Sequence, residues 1–180
     1  MFNNIFEKKK VLITGHNGFK GSWLTQWLSL LNADIIGVSL DQLDSLNHWD
    51  RLNINLLSQY ETDINEYKEL NSIFGIENPE IVFHLAAQPI VREGFKNPLK
   101  TWSTNVMGTA NLLECCRHSR SVKAVVVVTT DKCYENKEWP WGYRENDKLG
   151  GDDPYSASKA SSELVVQSYR NPKLNFNNET

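Results

Sequence analysis

The sequence predicts an α/β fold built on a doubly wound, mostly parallel sheet. Three observations carry this. Short apolar runs alternate with amphipathic stretches from the N-terminus to about residue 170. A glycine-rich turn, TGHNGFKG, joins the first apolar run to the first amphipathic stretch. The run Val125–Val128 is apolar at every position, as in a strand covered on both faces.

The elements follow in order. Val11–Thr14 reads as a short strand, and Ser22–Leu31 as a helix with Leu24, Trp27, Leu28 and Leu31 on one face. Ile35–Ser39 is a second strand. Asp41–Ser58 is polar and irregular, with a short helix near His48–Leu52. Gln59–Thr62 is a weak third strand, and Asn65–Ile76 a helix that ends before Asn78-Pro79. Ile81–Leu85 is a fourth strand. Asn97-Pro98 opens a helix reaching about Arg117, proline being tolerated at the first helical position. Lys123–Val128 is a fifth strand, expected at the centre of the sheet. A loop rich in Trp, Tyr and Gly follows, and Asp153-Pro154 opens a last helix through about Tyr169. Residues 1–170 read as one domain, and 171–180 as a polar, frayed tail.

Composition narrows the function. The 180 residues are 40% hydrophobic, with a net charge of −3 and scattered Lys and Arg. A nucleic-acid surface needs a clustered basic face, so that class is disfavoured. No apolar run approaches the ~20 residues of a membrane span. The N-terminus lacks the apolar core of a signal peptide. Three cysteines, two of them adjacent, suit neither a disulfide framework nor a zinc site. A reducing, cytoplasmic setting follows.

The glycine turn carries the first chemical signal. Gly15 permits a tight turn, Gly18 lets the backbone approach a pyrophosphate, and Gly21 allows close helix packing. The helix N-terminus offers free N–H groups to phosphates. A ligand-free turn is the plain alternative, but the strand–turn–helix context favours dinucleotide binding. An acidic residue on the adenosine ribose is expected ~20 residues on, and Asp41 is the candidate. No arginine stands close enough to hold a 2′-phosphate, which favours NAD over NADP. Asp63 and Ile64 could border the adenine, or Asp63 could cap a helix. Leu85, Ala86 and Ala87 end the fourth strand, where small side chains leave room for a ligand or for a helix.

The last helix supplies the second signal. Tyr155 and Lys159 lie four residues apart, on one helical face. An ammonium beside a phenol favours the phenolate. A phenolate can then take a proton from a substrate hydroxyl as hydride leaves for a nicotinamide. At the end of the fifth strand stand Thr129, Thr130, Asp131 and Lys132. The aromatic loop Trp139, Trp141, Tyr143 reads equally as packing or as a wall over a sugar. His84 reads as structural.

Taken together, TGHNGFKGSWL, FHLAAQPIVR, TNVMGT, TTDKCYENKEWPWGYREND and GGDDPYSASKASSELV resemble the extended short-chain dehydrogenase/reductase family, with its Rossmann-type fold. Within it they are most similar to nucleotide-sugar 4,6-dehydratases of the CDP-glucose type. The resemblance runs to about Arg170, and the TDKCYEN…GYREND block is its most specific part. It implies transient oxidation of glucose C4 by bound NAD, loss of water across C5 and C6, and return of hydride to C6, as a step in deoxysugar and lipopolysaccharide biosynthesis. It implies Tyr155, assisted by Lys159 and Thr130, as the base at the 4-hydroxyl. Asp131 protonates the departing 6-hydroxyl, and Lys132 is a base or a positioning charge. Asn105, Asn17 and Phe19 join the cofactor set. The resemblance also implies a homodimer through the helices of Asn105 and Tyr155, and a C-terminal substrate domain that these 180 residues lack. A cofactor-binding module without turnover, or a sugar epimerase sharing Tyr155 and Lys159, are the alternatives.

Overall fold

The computed structural model describes residues 2–40 and 48–171. Five parallel strands, β1 (Lys10–Thr14), β2 (Asp34–Ser39), β3 (Ser58–Glu61), β4 (Ile81–His84) and β5 (Ala124–Val127), lie in the order β3-β2-β1-β4-β5. The chain therefore winds outward from β1, reverses, and winds outward again, which is the doubly wound topology. In register, Thr14 stands beside His84 and Val38, so three strands end together at the carboxyl edge.

Helix α1 (Phe19–Leu30) packs Leu28 against Val11, Ile13 and Ile35 on one face of the sheet. Helices α3 (Tyr67–Glu77), preceded by the short α2 (Trp49–Leu52), and α6 (Gly108–His118) cover the other face. There Leu70, Phe74, Leu112, Cys115 and Cys116 meet Leu12, Ile36, Val38 and Val82. Asn78, left-handed at φ 51° and followed by Pro79, stops α3. Asp153 starts α7 (Pro154–Tyr169) by accepting from the N–H groups of Tyr155 and Ser156, at 2.9 and 3.0 Å.

The helix expected from Asn97 to Arg117 is instead three pieces: α5 (Pro98–Trp102), a π-helical turn (Ser103–Met107) and α6. The wider turn leaves the Asn105 carbonyl to accept from the hydroxyls of Thr109 (2.6 Å) and Ser162 (2.8 Å). A further short helix, α4 (Val91–Lys96), lies between β4 and α5. β5 was expected at the centre of the sheet. It is an edge among the described residues, with Val126 44% exposed. Its apolar pattern reads the same with one neighbouring strand as with two. The expected tail lies, Asn171 apart, outside the described residues.

Candidate active site

The carboxyl edge opens into a cleft of about 460 Å³. Its wall begins at the glycine turn. Gly15 is left-handed at φ 72°, and a Cβ there would sit 2.8 Å from the Ala86 nitrogen. A Cβ on Gly21 would lie 1.9 Å from the Gly15 carbonyl oxygen, so α1 can approach the turn only without one. Gly18 caps α1 with no side chain, so no cap side chain covers the first-turn N–H groups of this cleft-lining stretch. Asn17 and Phe19 line the same wall, and Asn17 donates to the Leu40 carbonyl at 3.1 Å.

Asp63, Ile64, Leu85, Ala86 and Ala87 continue the lining, with Ser39 at the end of β2. Asp63 accepts from the Asn65 N–H at 2.9 Å, so it shapes its own turn as well as facing the cleft. Asp41, the expected ribose contact, lies outside the described residues. Next to this wall His16 is fully buried, its Nδ1 2.8 Å from the Ser39 hydroxyl; burial lowers its pKa.

From the other side α7 presents Tyr155 and Lys159 to the cleft. Lys159 is 6% exposed, and its Nζ donates to the Val128 carbonyl at 3.2 Å. Burial, reinforced by the Lys20 charge and opposed by Glu163, pushes it down to about 8. Its charge thus persists at neutral pH in the cleft that Tyr155 also lines, and is lost in mild alkali.

The strand-end quartet divides. Thr129 lines the cleft, donating its hydroxyl to the Glu163 carboxylate. Thr130 caps a 3-10 turn (Asp131–Cys133): its hydroxyl accepts from the Lys132 N–H at 3.3 Å and donates to Asp131 at 3.1 Å. Asp131 and Lys132 are exposed and line a neighbouring cavity of about 300 Å³ with Tyr134, Tyr143, Asp153 and Ser156. Tyr155 lines the first cleft and Ser156, next to it in α7, lines this second cavity. Of the aromatic loop, Tyr143 faces this second cavity, stacked on Tyr134 at 5.3 Å. Trp139 and Trp141 pack beside it instead.

Asn105 does not line the cleft. It is buried, and its amide is consumed by the Gln88 N–H (2.8 Å), the Gln88 carbonyl (3.1 Å) and the Ser158 hydroxyl (2.8 Å). It braces the backbone beyond Ala87. Sequence reasoning placed Thr129 at the strand end without a role and missed Glu163 as its partner. The available signal was spacing: Glu163 follows Lys159 by four residues, on the same helical face.

Among the described residues no group of His, Cys, Asp and Glu could hold a metal ion, and no helix is long and apolar enough to cross a membrane. Phosphate-ready N–H groups, a phenol and a buried ammonium in one cleft suit proton transfer beside a bound dinucleotide.

Comparison with known proteins agrees with this geometry. CDP-glucose 4,6-dehydratase of Salmonella typhimurium is 48% identical over 96% of this chain and 48% of its own length. UDP-glucose 4-epimerase of Thermotoga maritima, solved with UDP-glucose, superposes with a TM-score of 0.77 at 31% identity, over 89% of this chain and 50% of that one. UDP-glucose 4-epimerase of Brucella ovis, solved with NAD, gives 0.73 at 25% identity, over 89% and 47%. This chain thus spans about half the length of each. The family model for GDP-mannose 4,6 dehydratase matches residues 12–176, which include every residue lining both cavities. The chain belongs to the GDP-mannose 4,6 dehydratase family.

Proposed function

We propose that residues 1–170 form the cofactor-binding and catalytic half of a nucleotide-sugar 4,6-dehydratase, acting with NAD on CDP-glucose. The observation that carries this is the pairing of Tyr155 with buried Lys159 on the glycine-turn cleft, while Asp131 and Lys132 line a second cavity with the adjacent Ser156. The likeness to the Salmonella enzyme supports CDP-glucose among nucleotide sugars. The residues present fit a dinucleotide, since Gly15, Gly18 and Gly21 line the cleft at the start of α1, where no side chain caps the first-turn N–H groups. Asp63 and Ile64 would border the adenine, and Ala86 and Ala87 would face the middle of the cofactor.

Bound NAD supplies a reversible hydride acceptor, so the net reaction is a dehydration. Tyr155 takes the proton of the 4-hydroxyl, and the Lys159 ammonium stabilises the phenolate. Asp131 gives a proton to the departing 6-hydroxyl. Lys132 is exposed, which favours its reading as a positioning charge over a base. Thr129 and Thr130 order the strand end, Thr129 through Glu163 and Thr130 through the 3-10 turn. The buried free cysteines suit a reducing cytoplasm. Exposed Leu99, Trp102 and Met107 near Asn105, with Leu164 on α7, supply an apolar face for the homodimer.

The test is to incubate the 180-residue chain with CDP-glucose and NAD and to assay a 4-keto-6-deoxy product, alongside NAD affinity by titration calorimetry. Product formation supports the proposal. NAD binding without product favours a cofactor module that needs the other half, a reading the half-length match also supports. Loss of both rejects the cleft as a cofactor site.

A further inference from the structure

His84 is the last residue of β4, 2% exposed, and it immediately precedes the cleft-lining Leu85–Ala87. Its hydrogen bonds fix a direction. The Thr109 hydroxyl donates to the Asn105 carbonyl at 2.6 Å, so towards His84 Nε2, 3.1 Å away, it can only accept. Nε2 therefore carries the proton and Nδ1 is the acceptor. On that side the Thr14 hydroxyl stands 2.6 Å from Nδ1 and donates to it, while its oxygen accepts from the Ala86 N–H at 3.3 Å. The path runs from the Ala86 backbone through Thr14, His84 and Thr109 to Asn105. Asn105 closes it by holding the Gln88 backbone, and it also holds Ser158 on α7.

We propose that His84, in its Nε2–H tautomer, is a positioning residue that braces the cofactor-facing segment Ala86–Gln88 against the helix presenting Tyr155 and Lys159. Both ends of the path return to the same three-residue segment, so a shift of the ring moves the cleft floor and α7 together. Lys159 is the charged group facing the ring. A second proton on Nδ1 would oppose the Thr14 hydroxyl and place a cation beside that ammonium; burial, then Lys159, holds His84 down to about 3. The consequence for cofactor affinity rests on the function proposed above; the tautomer and the brace do not.

The experiment has two arms on the 180-residue chain. Imidazole 15N shifts, recorded from about pH 5 to about pH 8 where a free histidine titrates, should show His84 as one unchanging Nε2–H form. A titrating ring, or an Nδ1–H form, overturns the proposal. In the second arm Thr109→Val cuts the path on the helix side and Thr109→Ser restores it. The valine variant should raise amide exchange at Ala86 and Gln88 and weaken NAD binding, each by about tenfold for one lost buried hydrogen bond. The serine variant should return both towards wild type. Unchanged exchange at Ala86 and Gln88 in the valine variant overturns the brace. If wild type binds no NAD, the proposed function fails, while the shifts and the exchange still decide the role of His84.

Discussion

Replacing Lys159 by methionine should make the fold more stable while removing its chemistry. Lys159 carries its charge in a site that is 6% exposed, where its Nζ donates to the Val128 carbonyl. Its pKa falls from 10.5 to about 8, chiefly through burial. At about 1.36 kcal/mol per pH unit, holding that charge costs the fold roughly 3 kcal/mol at neutral pH. Methionine fills similar space without the charge, and forgoes one hydrogen bond of about 1 kcal/mol. The net expectation is a gain of about 2 kcal/mol, or roughly 4–8 °C in Tm for a chain of this size. The sign of the pH dependence adds a second signature. A lysine depressed in the folded state binds fewer protons folded than unfolded between about 8 and 10.5. Wild-type stability therefore gains a rising contribution across that window, and the variant lacks it. Urea titrations at pH values below, within and above the window measure both quantities. A methionine variant less stable than wild type at neutral pH, or one keeping the alkaline rise, would refute the claim that burial dominates at this site.

Other expectations concern the cleft and the core. Gly21→Ala puts a methyl 1.9 Å from the Gly15 oxygen, so it should open the turn and lower NAD affinity by at least tenfold, roughly 1.4 kcal/mol, read by calorimetry. Tyr155→Phe should keep NAD affinity within about threefold yet lose oxidation at C4 by 10²-fold or more, read by single-turnover absorbance with CDP-glucose and whatever partner half turnover proves to need. Asp131→Asn under the same conditions should permit oxidation at C4 but stop loss of water; if both steps survive, Asp131 is not the acid. Leu112→Ala empties a fully buried site between α6 and the sheet and should cost about 2–5 kcal/mol by urea titration.

Much of this was legible because it is local. The glycine turn declares itself through what a Cβ would strike, and Tyr155 and Lys159 share a helical face whatever the tertiary packing. Asp153 caps α7 where Asp-Pro predicted. What stayed hidden depends on neighbours distant in sequence. The π-helical turn at Ser103–Met107 answers hydroxyls on α7, so no local periodicity reveals it. Asn105 has the look of a ligand contact until Gln88 and Ser158 are seen to use its amide. The edge position of β5 is invisible for a different reason, since apolar faces do not count neighbouring strands. Thr129 and Thr130 are adjacent in sequence and similar in type. Only the 3-10 turn after β5 decides which of them faces the cleft.

The adjacent thiols of Cys115 and Cys116 give the molecule a reporter of its own breathing. They lie in the layer that α3 and α6 form on the sheet, each 1% exposed, and burial pushes Cys115 up to about 12 and Cys116 higher still. In the closed state neither ionises at neutral pH, so neither reacts with an alkylating probe. Labelling must wait for α6 to lift from the sheet. Its rate under native conditions therefore clocks the opening of that layer, separately from any event at the cleft.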